Sequence, residues 1–595
     1  MRKSRILFHR FLKWRYRHIS NQQFVSIASA IIGFLAGAGA VVLKNVTHFI
    51  QELLEGKIIG EFHRAFYFVF PIIGLLLVVL FIKYIVKKKV GHGIPSTLFA
   101  LSQQRGIMPR HQMWASLIAA PITVGFGGSV GLEGPTVATG AALGSNFARL
   151  SHLNQTTRML MIGAASAGAM SAIFKAPIAG IVFAVEILSL DLTLASMIPL
   201  ILASTTAILT TYFFMGDDVL LHFQLQDKFI LKDVIFYIFL GVVSSVVSIY
   251  FSKMYFGLSG YFEKIGDSYK RLVLGGILIG VIVYLVPPLY GEGYEVINSL
   301  LKNGYAEVLK NNIFNITINH VLLIALFLVA LVIFKVIAMT LTFGAGGIGG
   351  VFAPTLFTGS IAGYVFALLI NYSDVFQHKL STGNFALVGM AGLMAGVLQA
   401  PLMAIFLIAE ITGGYELFVP LMIVASISFI ITKKYIPHNI YAEELAKKGQ
   451  LLTHDKDLTV LTLMRLESVV EKNFIKLGPS MTLRNILYQG VAKSTRNFFP
   501  VIDKDDKLIG IILLDDIREA MFNQKLYDTT TAKDYMSHPP DNIVYETDSM
   551  RDVMAKFQKS GAWNLPVIRK GKYYGFVSKS KMLTAYRRQL INFTQ

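Results

Sequence analysis

The sequence has no cysteine and little charge. Of its 595 residues only 15% are charged, whereas 54% are hydrophobic, and the mean hydropathy is +0.56. The absence of cysteine excludes disulfide bonds, thiolate metal sites and cysteine nucleophiles. The scarcity of charge excludes a large soluble protein and predicts that most of the chain lies in lipid.

Acidic residues are the scarcer of the two charge types. The chain has 36 Asp and Glu against 55 Lys and Arg, which gives a formal net charge of +19. The basic residues crowd the N-terminus and flank apolar runs, as cytoplasmic residues of membrane proteins do. We therefore expect no nucleic-acid partner and a basic cytoplasmic segment over residues 1–22. That segment has no apolar core followed by a small-residue cleavage site, so it is not predicted to be a signal peptide.

Apolar runs long enough to cross a bilayer recur from about residue 24 to residue 435. Examples are residues 66–86, 234–251, 272–286 with its flanks, and 320–341. A spanning helix needs about 20 apolar residues. The sequence thus predicts a multi-pass α-helical protein of the cell membrane over residues 23–440, with the lipid bilayer as its solvent.

After Tyr441 the composition changes to that of an α/β protein, which is predicted to be soluble and cytoplasmic. A linker is expected over residues 441–467, followed by two modules at 468–525 and 530–595. The modules repeat each other, because residues 498–517 match residues 564–582 with their prolines 66 positions apart and their glycines 65. Each unit resembles a CBS module.

The membrane part also contains an internal repeat. GGSVGLEGPT at 127–136 is echoed by GGIGGVFAPT at 346–355, 219 positions later, and APIAGIVFAVEI at 176–187 is echoed by APLMAIFLIAEI at 400–411, 224 positions later. The two copies are placed at about 24–215 and 230–436. Transporters built from repeats hold their ligand where the repeats meet, between interrupted helices.

Three glycine-rich stretches each precede a proline and an apolar helical run: GHGIPS at 91–96, GLEGP at 131–135 and GGVFAP at 349–354. Proline is favoured in the first turn of a helix, so Pro95, Pro135 and Pro354 are predicted to mark helix starts. A helix N-terminus offers unpaired N–H groups and a partial positive charge. Several such ends at one place would hold an anion and repel cations.

These three stretches resemble the motifs of the CLC family of chloride channels and chloride/proton exchangers, and many CLC proteins also carry a CBS pair. The resemblance covers nearly the whole chain. It implies an inverted internal repeat, a homodimer and one anion pathway in each subunit, with chloride or another small anion as the permeant ion. No cofactor or metal is expected. No enzymatic activity is expected either, because the spans show no nucleophile–base arrangement.

Glu133 is the central candidate of the site. A carboxylate inside the membrane is costly and usually functional. The resemblance implies that Glu133 gates the pathway, occupying the anion's place when ionised; the alternative is a glutamate that caps a helix. The resemblance also implies a set of anion-binding positions and a set of helix-start positions. The first set is His92, Gly93, Ile94, Gly131, Val351, Phe352 and Tyr441, and the second is Pro95, Gly134, Pro135 and Pro354. Tyr441 could instead be an interfacial anchor.

Three positions depart from the family pattern. His92 stands where the family has serine or proline; its imidazole could donate to an anion, more strongly when protonated, or could turn away. Ser96 stands where glutamate is common. Ile187 replaces the glutamate that passes protons in the family's exchangers, and isoleucine cannot carry a proton. The sequence therefore favours passive chloride conduction gated by Glu133 and modulated by the CBS pair.

Chloride/proton exchange remains the alternative, and a CBS-regulated divalent cation channel is a remote one that would need clustered oxygen ligands. The remaining buried charges have simpler interpretations. Glu186 and Glu410, related by the repeat, are expected to satisfy helix ends. Lys175 and Lys335 could raise the anion potential of a vestibule or could be paired internally.

The CBS pair could bind an adenine nucleotide. In nucleotide-binding CBS units a Ser or Thr followed three residues later by Asp contacts ribose and phosphate. The first unit has Leu513 and Asp516, and the second has Ser578 and Lys581, so each retains half of the pattern. A role in dimer contact and gating is the other interpretation.

Overall fold

The structure is a computed structural model that describes residues 14–15, 17–57, 65–91, 93–191, 193–216, 229–309, 320–374, 378–447, 460–461 and 464–594. Its Cα positions divide into two compact units, Met1–Lys447 and Lys448–Gln595.

The first half of the membrane unit consists of eight described helices. They are α1 (Asn21–Lys57), α2 (Ala65–Leu80, continued by a π-helical turn Phe81–Val86), α3 (Ile94–Gln103), α4 (Gln112–Gly125), α5 (Glu133–Leu150), α6 (Gln155–Phe174), α7 (Pro177–Glu186) and α8 (Leu194–Met215). Polar caps define several of the starts. The Asn154 side chain accepts from the Thr157 N–H at 2.8 Å before α6, and Thr193 forms a capping box with Ser196 before α8.

The second half follows a similar order after a 3₁₀ turn at Leu231–Asp233. Its helices are α9 (Val234–Lys264), α10 (Ser268–Leu285), α11 (Tyr294–Asn303), α12 (Tyr305–Leu309), α13 (Val321–Gly344), α14 (Phe352–Ser373), α15 (Thr382–Val397), α16 (Pro401–Ile411), α17 (Phe418–Tyr435) and the short α18 (Glu443–Lys447). A 3₁₀ turn at Pro287–Leu289 separates α10 from α11.

In the described part of the chain, nine helices are long and apolar enough to cross a membrane. These spans are Asn21–Leu54, Phe66–Val86, Gln155–Phe174, Leu194–Met215, Leu231–Lys264, Ser268–Leu285, Val321–Gly344, Phe352–Ser373 and Phe418–Tyr435. The predicted multi-pass helical architecture is confirmed. Helices α7, α15 and α16 are apolar but shorter than a full span, as is expected where helices are interrupted inside a transporter.

The two halves exchange equivalent contacts. Glu186 at the end of α7 accepts from the Leu402 and Met403 N–H groups in the first turn of α16, at 3.1 and 2.8 Å. Glu410 of α16 accepts in return from Ile178 and Ala179 in the first turn of α7, both at 2.9 Å. Each donor and each acceptor of the first contact lies 224 positions from its counterpart in the second contact. Reciprocal contact of this kind is the property of a two-fold axis, and it confirms that the two glutamates satisfy helix ends.

A second reciprocal set lies at the glycine-rich motifs. The Thr123 hydroxyl accepts from Ile348 N at 3.0 Å, and the Thr342 hydroxyl accepts from Ser129 N at 3.2 Å. Gly131 and Gly350 exchange both of their backbone hydrogen bonds, at 2.9 and 2.7 Å. The members of each pair are 219 positions apart, so Gly131 and Gly350 meet at the local two-fold axis.

Small residues allow the helices behind the motifs to approach closely. Gly140 and Gly144 of α5 face α6, where an added Cβ would lie 2.8 Å from Ala165 O and 2.4 Å from Met161 O. Their counterparts Gly359 and Gly363 of α14 face α15, with equivalent distances of 2.6 Å to Gly389 O and 2.0 Å to Phe385 O. Glycine pairs four residues apart are typical of close helix crossings in membranes.

The C-terminal unit is a small α/β structure. Its strands are β1 (Val470–Glu471), β2 (Phe498–Ile502), β3 (Leu508–Leu513), β4 (Ile543–Val544), β5 (Asn564–Arg569) and β6 (Lys572–Ser578). Its α-helices are α19 (Leu483–Asn485), α20 (Ala532–Tyr535), α21 (Met550–Ser560) and α22 (Lys579–Thr594). Strands β1, β6, β5 and β4 form one sheet in that order, and β2 pairs with β3 in a second.

The two modules repeat each other in strand register. In the β2–β3 hairpin Val501 lies opposite Gly510, and in the β5–β6 hairpin Val567 lies opposite Gly575. Both hairpins are antiparallel and shift register directly after the valine. The duplicated Pro–Val and Gly positions of the sequence therefore correspond to one structural unit used twice.

Candidate functional site

The starts of three helices converge. A Cβ added at Gly93, which precedes α3, would lie 2.7 Å from the carbonyl carbon of Gly134 in the first turn of α5. A Cβ added at Gly134 would lie 3.0 Å from Cα of Gly350, which precedes α14. Glycine is needed at these positions because backbone meets backbone, and Gly93 also has φ of +76°. The glycines thus bring three partially positive helix ends together.

Each predicted proline lies in a first turn, though not at the first position. Pro95 is the second residue of α3, and Pro135 and Pro354 are the third residues of α5 and α14. Their missing N–H groups are among those that have no partner inside the helix. The first residues of the three helices are Ile94, Glu133 and Phe352.

Glu133 is completely buried at the start of α5. Its Oε1 accepts a hydrogen bond from the Tyr294 hydroxyl at 2.5 Å. The backbone N–H groups of Glu133 and of Ala353, in the first turn of α14, act electrostatically on the same carboxyl. Its Oε2 is buried and has no hydrogen-bond partner of normal geometry among the described groups. The carboxyl therefore lies between the two repeats with one oxygen uncommitted.

Tyr294 belongs to a segment that the sequence did not single out. Residues 287–294 lie along the GGSVGLE loop through successive contacts: the Ser129 hydroxyl donates to Leu289 O at 2.7 Å, and the Leu132 N–H donates to Glu292 Oε1 at 3.0 Å. The Tyr290 ring also lies where a Cβ of Gly127 would be, at 2.2 Å. The acidic, glycine-rich run GEGYE within a membrane region was the signal that could have identified it.

Lys335 of α13 is fully buried beneath this segment. Its Nζ donates to Gly291 O at 2.8 Å and lies 4.8 Å from the centre of the Phe357 ring. It interacts electrostatically with both Glu133 and Glu292. The structure thus places this lysine in the site, as a buried amine that interacts with two carboxyl groups.

Lys175, the other buried lysine named from the sequence, has contacts at the end of one helix. Its Nζ donates to Gly216 O at 2.6 Å and lies 4.7 Å from the centre of the Tyr212 ring. Both contacts are with the end of α8, which fits the structural interpretation of this residue.

Tyr441 contributes a second uncommitted polar atom. The residue follows α17 and is 5% exposed, and its hydroxyl has no hydrogen-bond partner among the described groups. It interacts electrostatically with Glu133 and Tyr255. Leaving a buried hydroxyl unpaired costs about 1–3 kcal/mol unless a ligand or water supplies the partner. Near the three helix starts, the Tyr441 hydroxyl and Glu133 Oε2 are therefore both buried and without a hydrogen-bond partner among the described groups.

The other predicted positions lie within the glycine-rich stretches 91–96 and 349–354. Ile94, Val351 and Phe352 are buried, and the Phe352 ring packs against Phe174 with centroids 5.7 Å apart. His92 lies outside the described residues. The Ser96 hydroxyl donates to Gly93 O at 2.7 Å, inside its own helix start.

Ile187 is buried at the end of α7, where its N–H donates to Phe183 O at 2.9 Å. The neighbouring acid, Glu186, has both carboxyl oxygens occupied by the N–H groups of α16. Neither residue offers a free acid at this end of α7.

The candidate nucleotide residues are engaged by other groups of the C-terminal unit. Asp516 accepts from the Leu513 N–H at 2.9 Å. The Ser578 hydroxyl accepts from the Lys581 N–H at 3.1 Å and donates to Glu471 Oε1 at 3.4 Å. These contacts cap the turns that follow β3 and β6.

The repeat, the convergent helix starts and the buried carboxyl define a multi-pass membrane transport protein. Residues 74–433 match the family described as voltage gated chloride channel, and residues 466–523 and 532–588 each match the CBS domain. The chain therefore belongs to the CLC family of chloride channels and chloride/proton exchangers, with a CBS pair after the membrane unit.

Known relatives carry both kinds of name. The H(+)/Cl(-) exchange transporter ClcA of Vibrio cholerae is 27% identical over 437 residues, which cover 71% of this chain and 89% of the relative. The voltage-gated ClC-type chloride channel ClcB of Salmonella typhimurium is 28% identical over 336 residues, covering 56% and 75%. The crystal structure of a slow cyanobacterial Cl⁻/H⁺ antiporter superposes with a TM-score of 0.62 at 20% identity, covering 72% of this chain and 98% of that one. These relatives are transporters and channels rather than enzymes.

Proposed function

We propose that this protein exchanges chloride for protons across the membrane, through one pathway in each subunit. The observation that carries the proposal is Glu133, a buried carboxyl that has one uncommitted oxygen and lies where three helix starts meet. A group that binds a proton in the place where an anion would bind can couple the two ions. The exchanger named among the relatives aligns with 71% of this chain and supports the same function.

The physical basis is competition between two negative charges. The helix starts attract one anion, either chloride or the ionised carboxylate of Glu133. Protonation removes the charge from Glu133 and leaves the attraction to chloride. The hydroxyls of Tyr294 and Tyr441 then serve different partners: the first donates to Glu133, and the second is unpaired among the described groups and is available to chloride. Chloride entry and proton release thus alternate at one place.

Passive chloride conduction is the second candidate, and Ile187 favours it. The position offers no acid, and the adjacent Glu186 is occupied by α16. If protons cannot reach Glu133 from that end, the carboxyl acts only as a gate and chloride crosses without obligatory proton movement.

Flux measurements on the purified protein in liposomes separate the two candidates. A chloride gradient is imposed, and chloride efflux and internal pH are recorded together. Exchange predicts protons driven against their own gradient in proportion to chloride. Chloride flux with no uphill proton movement would favour conduction, and Glu133→Gln is the control in which coupling must disappear.

We also propose a homodimer in a cell membrane, with the N-terminal segment and the CBS pair in the cytoplasm. The proposal rests on family membership and on the basic residues beside the spans, Lys433 and Lys434 among them. Cross-linking in native membranes tests the dimer, and protease access in sealed vesicles tests the orientation.

A further inference from the structure

The proposed exchange leaves Glu292 without a role, although its segment holds Glu133. Glu292 Oε1 binds the N–H of Leu132, the residue before Glu133, at 3.0 Å. Two positions further on, Tyr294 binds Glu133 itself at 2.5 Å. Two residues of the 287–294 segment, two positions apart, thus contact two adjacent residues at the start of α5. The two carboxyls are held as neighbours at the start of α5.

The two glutamates differ in exposure at the molecular surface. Glu133 is completely buried, whereas Glu292 is partly exposed. A carboxylate is an expensive way to satisfy one backbone N–H in this setting, because a neutral side chain oxygen would accept the same bond without a charge. Of the pair, Glu292 is therefore the member nearer the molecular surface.

Four charged or titratable groups interact electrostatically with Glu292. Glu133 faces it from α5, Lys335 from α13 and Lys44 from α1, and Tyr294 follows it in its own segment. Lys335 is fully buried and Lys44 is partly exposed. In the buried part, one lysine therefore faces two carboxyls, and a chloride ion would add a further negative charge. Two acids that interact in this way do not ionise independently, so a proton on one favours ionisation of the other.

The buried groups near this pair also show a place for a ligand. Glu133 Oε2 and the Tyr441 hydroxyl are both at least nine-tenths buried and have no hydrogen-bond partner among the described groups. An anion accepted there would repel both carboxylates. A proton must then be available nearby whenever chloride enters.

We propose that Glu292 is the proton-exchange residue on the water-facing side of Glu133. When Glu133 returns to the anion's place, the O–H bond of its carboxylic acid breaks and an O–H bond forms on the Glu292 carboxylate; Glu292 then gives the proton to water. The reverse sequence loads Glu133. No other reactant is consumed, and the proton is the only charge transferred. The assignment rests on the proposed exchange, since it gives one half of the proton route.

The test compares Glu292→Gln with Glu295→Gln in the liposome assay. Glutamine keeps an oxygen that can accept from the Leu132 N–H but cannot carry a proton. Glu295 is an exposed glutamate three positions further on and serves as the matched control. We expect the ratio of proton to chloride flux to fall roughly tenfold or more in Glu292→Gln, because a positioned acid typically speeds proton transfer by at least that factor. An unchanged ratio in Glu292→Gln would overturn the assignment.

The experiment also separates failure of this assignment from failure of the exchange proposal. If the unmodified protein moves chloride without protons, the exchange proposal is wrong, and the dependence of chloride flux on pH becomes the readout. Glu292 then still sets the protonation of Glu133, and the Gln variant must flatten that dependence relative to Glu295→Gln. A pH dependence identical in the two variants would reject the role of Glu292.

The absence of cysteine from the sequence provides a second variant in case Glu292→Gln does not fold. In Glu292→Cys the new thiol is the only one in the chain. We expect a membrane-impermeant thiol reagent to reach it, and a reagent that attaches a carboxylate to restore proton flux where one that attaches a sulfonate does not. A sulfonate is too strong an acid to hold a proton at neutral pH. Equal effects of the two reagents, or no reaction at all, would contradict the proposal.

Discussion

At the scale of single residues, the contact between Tyr294 and Glu133 joins one hydroxyl to the central carboxyl of the site. The hydroxyl donates to the carboxyl at 2.5 Å, and a donated hydrogen bond stabilises the ionised form of the acceptor. The ionised form is the one that competes with an anion for the helix starts. Under the proposed exchange, Tyr294 therefore favours the closed state of the pathway.

Replacing Tyr294 with phenylalanine should make protons more effective. The ionised form of Glu133 loses a bond of about 1.5–3 kcal/mol, so the carboxyl stays protonated at higher pH and chloride flux persists roughly one pH unit further towards alkaline conditions. The measurement is chloride efflux from liposomes over a pH series. Tyr290→Phe is the control, because its hydroxyl in the same segment donates to Gly125 O at 3.0 Å. A shift of the same size in both variants would contradict the prediction.

At the scale of elements, the features that could be predicted from the sequence are those that occur in both copies of the internal repeat. Helix starts, the Gly131–Gly350 pair and the caps of Glu186 and Glu410 lie in repeated motifs, so each copy identifies the other. The 287–294 segment could not be found this way, because it lies outside the repeated motifs and its bonds to Leu132 and Glu133 span 160 and 161 positions. Lys335 was recognised as a buried cation, but its hydrogen-bond acceptor, Gly291 O, lies in that segment and could not be predicted.

The reciprocal caps between α7 and α16 predict equal effects from two distant substitutions. Glu186→Ala and Glu410→Ala each leave two N–H groups in a first turn without their carboxylate, which should cost about 1–3 kcal/mol of stability. Thermal unfolding of the purified protein in detergent measures both losses. Glu416→Ala, an exposed glutamate in the turn before α17, should leave the midpoint unchanged. A large loss from only one of the two cap variants would argue against the two-fold relation.

At the scale of the whole molecule, composition and motifs were enough to predict a membrane unit followed by a CBS pair. Apolar length and internal repeats are properties that a single sequence displays directly. The transport mode was harder to predict, because it depends on which buried acids exchange protons. Ile187 favoured a channel, whereas Glu292, which only the folded chain brings beside Glu133, supplies an acid that the family motifs do not include.

The CBS pair is expected to respond weakly or not at all to adenine nucleotides. Asp516 and Ser578 are engaged in local caps, and each module has only half of the Ser/Thr–Asp pattern. Millimolar ATP or AMP should leave the unfolding midpoint of the full-length protein unchanged, since a ligand that binds only the folded state raises it. A rise of the unfolding midpoint with nucleotide concentration would contradict this prediction and indicate that the CBS pair binds nucleotide.

Chloride binding at different pH values tests the central claim, that Glu133 and chloride compete for one place. Chloride is titrated calorimetrically into the detergent-solubilised protein and into Glu133→Gln over a pH series. The account predicts that chloride affinity of the unmodified protein falls as pH rises, by up to about tenfold per unit where one proton is linked to one chloride, and that affinity of the variant does not depend on pH. A chloride affinity independent of pH in the unmodified protein, or an equal fall in both proteins, would contradict the account.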